Sequence, residues 1–246
     1  MKTLKTVLAS IGVLLSTLTF QSCLDDDGYS LDKWAISVAS IKADKGNAPY
    51  FKLDNGKTLW PAAGQINMSV LKNEQRVLLN YTLLGDSTTG AVGYDYYIRI
   101  NRLDTILTKT VVENLGAKND SVYGKDPVRI TDMWTGNDHL TVGFETDFGN
   151  QRQHLVNLVK TDSVKSPYVF EFRQNAFDDP KITRAQGLVC FKLSNLSLPA
   201  DTATTLTIRV NTFDGNKEYK VEYDPTGNRN KENPLNLTQG NLGKVK

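Results

Sequence analysis

The chain has 246 residues, of which 39% are hydrophobic, with 29 Lys plus Arg against 27 Asp plus Glu. Lys2 and Lys5 head the sequence, and without them the balance is 27 against 27, formally neutral. A chain with no dense basic stripe has little with which to neutralise a row of phosphates, which argues against nucleic acid as a partner.

The segment from Val7 to Phe20 carries no charge, and Phe20-Gln21-Ser22 leads directly into Cys23. A basic head before an apolar core is the grammar of a secretory signal. About fourteen apolar residues fall short of the roughly twenty that cross a bilayer. The junction resembles the lipobox of bacterial lipoproteins, in the looser form found in Bacteroidetes, where the cysteine thiol receives diacylglycerol and becomes residue one. Residues 1–22 are therefore read as a signal peptide and Cys23 as the lipidation site. Acyl methylenes buried at about 0.8 kcal/mol each make such an anchor stable. Leu24 does not match the inner-membrane retention signal, so the outer membrane is the expected address. Asp25, Asp26 and Asp27 resemble the acidic run of surface-exported lipoproteins; they equally suit an extended, self-repelling tether over 23–30.

From Trp34 the pattern is β throughout. WAISVASI alternates, and YFKLDNGKTLW places two strand runs around Asn55-Gly56, a strong hairpin signal. RVLLNYTLL, GYDYYIRINRL and DTILTKTVV follow, bounded by Gly, Asp or Asn. After the polar stretch AKNDSVYGKDP come VRITDMW and the turn Thr135 to Asp138. HLTVGFET and HLVNLVKT are expected to pair as a hairpin across Asp147 to Asn150. PYVFEFRQ, GLVCFKL and the hairpin LTIRVNTFDGNKEYKVEY complete the series. Two sets of strands on either side of the turn near Gly136 predict an all-β fold in two domains, 31–135 and 136–225, with a polar tail over 226–246.

KLDNGKTLWP, NEQRVLLNYTLLGD, GYDYYIRINRLDTILTK, WTGNDHLTVGF, FEFRQNAFDD and GLVCFKLSNL, in that order, resemble the NigD-like lipoproteins of Bacteroidetes. The resemblance implies an N-terminal OB-type barrel followed by a C-terminal antiparallel β-sandwich. It also implies an accessory or immunity role linked to bacteriocin production. Gln174, in FRQN, stands where the family pattern favours histidine.

Catalytic signatures are sparse. His139 and His154 each open an apolar strand run, which suits structural roles better than a shared metal or a catalytic serine. Asp178-Asp179-Pro180 reads as turn chemistry, because adjacent strand residues point apart. No DxDxDG loop, HExxH, GxSxG or phosphate-binding glycine run occurs. With Cys23 assigned to lipid, Cys190 in LVCFKL has no intrachain partner and is expected as a buried, inert thiol. The expectation is a non-enzymatic protein without cofactor or metal, a binding or accessory module with a protein or glycan partner. A structural subunit of an outer-membrane complex is the alternative, and a glycan- or envelope-directed hydrolase the less favoured one.

Two sets of candidate sites remain. In GYDYYIRIN, Ile98 and Ile100 should point into the barrel, leaving Tyr97 and Arg99 outward as a ligand-binding pair of residue types enriched at hot spots. The triplets led by Asp86, Asp104, Asp120, Asp162 and Asp201 resemble acceptors for bacterial O-glycosylation at Ser87, Thr105, Ser121, Ser163 and Thr202. The same Asp-Ser and Asp-Thr pairs are also good turn formers.

Overall fold

The structure is a computed structural model that describes residues 34–43, 48–64, 67, 71–86, 93–161 and 167–225. The signal peptide, Cys23, the tether, Ser87, Ser163 and the tail over 226–246 lie outside the described residues. Five strands, β1 (Trp34–Lys42), β2 (Tyr50–Leu53), β3 (Thr58–Ala63), β4 (Arg76–Asp86) and β5 (Tyr96–Thr105), close into a barrel in the order β1-β2-β3-β5-β4. Period-two alternation turns Ile41, Phe51, Leu59, Leu79 and Ile98 inward to form one core. At eleven residues, β4 is long enough to pair with β1 along one edge and β5 along the other. Its bulges at Asn80/Tyr81 and Leu83/Gly85 supply the bend that closure requires. Asn55-Gly56 makes the β2–β3 turn as expected, with Gly56 at φ 88.

The second unit begins with β6 (Leu107–Thr110), a 3-10 turn (Gly116–Lys118) and the single-turn helix α1 (Asn119–Tyr123). It continues through β7 (Arg129–Gly136), β8 (His139–Phe148), β9 (Leu155–Lys160), β10 (Val169–Asn175), β11 (Thr183–Lys192), β12 (Thr204–Thr212) and β13 (Gly215–Tyr223). Two four-stranded sheets, β13-β12-β10-β9 and β6-β11-β8-β7, enclose a core of residues such as Phe144, Leu158, Phe172, Phe191 and Ile208. Within these two sheets strand pairing is antiparallel except for β6–β11 and β10–β12, and in the barrel β3 and β5 are also parallel.

Strand pairing corrects two expectations. The division falls between Thr105 and Leu107, not at Gly136, because β6 pairs with β11 and β7 with β8 inside the sandwich. The turn at Asn137-Asp138 is real, with φ of 47° and 59°, but it joins neighbouring strands of one sheet. The expected hairpin across 147–150 is also absent: β8 pairs with β7 and β11, and β9 pairs with β10 in the opposite sheet. Alternation reads the same whether the next strand pairs beside its predecessor or crosses over the core, so the sequence pattern could not separate the two.

Candidate functional site

The outer face of the barrel collects aromatic side chains from three strands. Phe51, Leu59 and Ile98 occupy the core, so Tyr50, Trp60 and Tyr97 face outward, and Trp60 pairs directly with Tyr97 across the β3–β5 ladder. Tyr94, just before β5, stacks on Trp60 with centroids 4.8 Å apart at 30° and tilts against Tyr50 at 5.2 Å. The next residue holds it there. Asp95 accepts bonds from Thr58 N (2.8 Å), Thr58 Oγ1 (2.9 Å) and Lys57 Nζ (2.9 Å), and its own N–H donates to Thr58 Oγ1 (3.0 Å). Partial burial pushes the Asp95 carboxyl up, but these donors outweigh it and hold it below the usual range; Asp95 in turn raises Lys57.

Beside the rings runs a polar ladder. Arg99 donates through Nε to Asn101 Oδ1 (3.3 Å) and through Nη2 to Thr82 Oγ1 (3.5 Å), and Asn101 Nδ2 donates to Asn80 Oδ1 and Thr82 Oγ1, both at 3.0 Å. Ile98 and Ile100 point inward as expected, while Tyr97 and Arg99 lie half-buried on the outer face. The roles of Tyr50, Trp60 and Tyr94 beside them were not singled out from sequence, although alternation in YFKL and TLWP carries the signal for the first two.

Between the domains lies a buried ion pair that no sequence motif announces. Arg76 clamps Asp54 with two bonds, Nη1 to Oδ1 (2.6 Å) and Nη2 to Oδ2 (2.5 Å), and both side chains are fully buried. The sandwich completes the cage: Trp134 Nε1 donates to Asp54 Oδ2 (2.8 Å), Asn137 Nδ2 to Asp54 Oδ1 (3.2 Å), and Thr141 Oγ1 accepts from Arg76 Nη2 (3.3 Å). A Cβ at Gly136 would collide with Asp54, so the glycine permits the approach. Val38, Ile106, Leu188 and Cys190 pack around this cage as a small apolar cluster. Cys190 is a free, buried thiol, its pKa raised by burial. His139 sits at the same junction, its Nδ1 2.6 Å from Asn137 O, and burial followed by Arg76 pushes its pKa down to about 4.

The second histidine is used at the other end of the sandwich. Gln174 Nε2 donates to His154 Nδ1 (2.7 Å), which leaves Nε2–H to donate to Asp179 Oδ2 (3.1 Å). Gln174 Oε1 accepts from Thr146 Oγ1 (2.9 Å). Asp179 also accepts the N–H groups of Gly149, Gln151 and Arg152. Burial raises its pKa, and these donors more than reverse the shift. The network ties the 149–152 turn to the turn at Phe177-Asp178. Gln174, at a position expected from the family pattern to be histidine, is therefore a buried link in a structural chain. Of the candidate acceptors, Thr105, Ser121 and Thr202 are exposed, and Ser121 Oγ donates to Lys118 O (3.0 Å).

A five-stranded OB barrel joined to a two-sheet sandwich through a buried ion pair defines the class of this protein. Residues 38–106 match the NigD-like N-terminal OB domain and residues 110–223 the NigD-like C-terminal beta sandwich domain; the chain belongs to the NigD-like family. It is similar to a solved protein from Parabacteroides distasonis, provisionally described as toxin-related, with 39% identity and TM-score 0.70 over 79% of this chain and 96% of that one. A Bacteroides vulgatus protein of unknown function is 28% identical with TM-score 0.68, covering 83% of this chain and 98% of its own. A NigD-like immunity protein from Bacteroides caccae shares the fold at 18% identity and TM-score 0.57, over 80% of this chain and 99% of that one. Among curated proteins, no relative matches the chain.

Proposed function

We propose that this protein is a lipid-anchored, non-catalytic binding module of the outer-membrane surface, held through Cys23, with the barrel face around Tyr97 and Arg99 as its contact surface. The carrying observation is the contiguous patch of Tyr50, Trp60, Tyr94 and Tyr97 flanked by Arg99, because aromatic residues and arginine dominate binding hot spots. Both histidines are buried, His154 engaged through both ring nitrogens and His139 through Nδ1, and among the described residues no His, Cys, Asp and Glu converge in a group of three or more able to hold a metal. Recognition therefore suits the molecule better than chemistry. Membership of the NigD-like family, and the words immunity and toxin-related attached to two similar structures, support a bacteriocin-linked immunity or accessory role as its particular form. Thr105, Ser121 and Thr202, being exposed, are suited to carry O-glycans. In protein displayed on intact cells, Tyr97→Ala with Arg99→Ala should abolish crosslinking to its envelope partner at unchanged melting temperature. Unchanged crosslinking, or loss that merely follows unfolding, would leave the patch as surface packing.

A further inference from the structure

The rings of the barrel face form a row. The β2–β3 register, Phe51 opposite Leu59 and Lys52 opposite Thr58, continues to Tyr50 opposite Trp60, and Trp60 is in turn opposite Tyr97. Neighbouring strands lie about 4.8 Å apart, so the row extends about 10 Å across three strands, the length of a short sugar chain. Tyr94 lies against the Tyr50–Trp60 end and stiffens it, and Asp95 fixes Tyr94 through Thr58.

Three features select the ligand. A row of ring surfaces favours a partner with flat apolar C–H faces. The groups beside it are the amide of Asn101 and the guanidinium of Arg99, seated over the buried Thr82 hydroxyl, and a purely apolar partner would strip them of water without replacing their hydrogen bonds. Lys57 is paired with Asp95 at 2.9 Å and the chain after residue 22 balances at 27 against 27, so the Arg99 guanidinium stands in no wider basic field that would gather phosphates or polyacids. A carbohydrate offers C–H faces for the rings and hydroxyls for the amides without needing charge. We infer that the ligand of this face is a neutral oligosaccharide, with Trp60 and Tyr97 stacking on its rings and Arg99 and Asn101 meeting its hydroxyls. The inference rests on the reading of the barrel face as the contact surface and adds the class of ligand.

The test is calorimetric titration of the mature full-length protein, anchor included, in detergent. The probes are gluco-, xylo-, manno- and galacto-configured neutral hexasaccharides, with fragments of hyaluronan and polygalacturonate as acidic counterparts. At least one neutral series should bind more tightly than either acidic one. Trp60→Ala and Tyr97→Ala should each weaken that binding about tenfold, about 1.4 kcal/mol, through loss of one stacking contact, with melting temperature unchanged. Should Trp60→Ala fail to fold, Tyr97→Ala, with its melting temperature measured alongside, decides alone. Binding of acidic sugars only, no binding at all, or binding indifferent to Tyr97→Ala overturns the inference. If the Tyr97→Ala, Arg99→Ala variant loses its envelope crosslink while no sugar binds, the contact surface stands and the ligand class falls. If neither crosslink nor sugar binding depends on Tyr97, both fall.

Discussion

Arg76 stands on the outside of β4, where alternation alone would give it to solvent, and yet it is fully buried because the sandwich covers that side of the barrel. Removing one partner of a buried ion pair leaves an uncompensated charge, at a cost of about 3–5 kcal/mol. Arg76→Ala should therefore lower stability by about that amount in urea unfolding, with Asp54→Asn, Arg76→Met together costing less than Arg76→Ala alone. His139 adds a pH dependence. Its pKa lies at about 4 in the folded chain against an ordinary 6.5, through burial and the neighbouring Arg76, so between those values the unfolded chain binds the extra proton. The stability this group contributes is complete above about pH 6.5 and is lost as pH falls toward 4, at no more than ~1.4 kcal/mol per pH unit. In His139→Gln, the urea midpoint should fall less steeply over that window than in the parent protein; identical slopes would place the proton elsewhere.

At the scale of elements, what a strand does to its own two faces was legible, and so was pairing across the short turns of β2–β3 and β12–β13, but pairing between strands distant in the chain was not. YDYYIRIN sorts Ile98 and Ile100 inward and Tyr97 and Arg99 outward by alternation alone. The inter-sheet step from β8 to β9 left no local trace, since its turn is organised by Asp179, thirty residues on from Gly149. Asp178 and Asp179 read correctly as turn residues, but the buried acceptor role of Asp179 depends on three N–H groups brought together only by folding. Asp179→Ala should accelerate hydrogen exchange at Gly149, Gln151 and Arg152 while leaving barrel amides such as Leu79 as protected as before. Unchanged protection at the 149–152 turn would mean that the network merely accompanies a turn fixed by its backbone.

For the whole molecule, the change from barrel to sandwich occurs at Ile106, where no glycine or proline marks it and the polar residues Asp104 and Thr105 read only as a break between two strand runs. The visible turn at Thr135 to Asp138 lies inside a sheet instead. Fragment 107–225 should consequently show β circular dichroism and a cooperative melt, whereas 136–225, stripped of β6 and β7, should not. The reverse outcome would restore the division at Gly136. The hydrogen bonds of Trp134, Asn137 and Thr141 to the Asp54–Arg76 pair hold the barrel on the sandwich. The measurement closest to the central claim is hydroxyl-radical footprinting of the protein on intact cells compared with the purified protein. Trp60, Tyr94 and Tyr97 should be protected on cells, while exposed Phe177, on the sandwich, should oxidise equally in both states. Equal oxidation of the barrel rings in both states, or protection confined to the sandwich, would contradict a contact surface on the barrel.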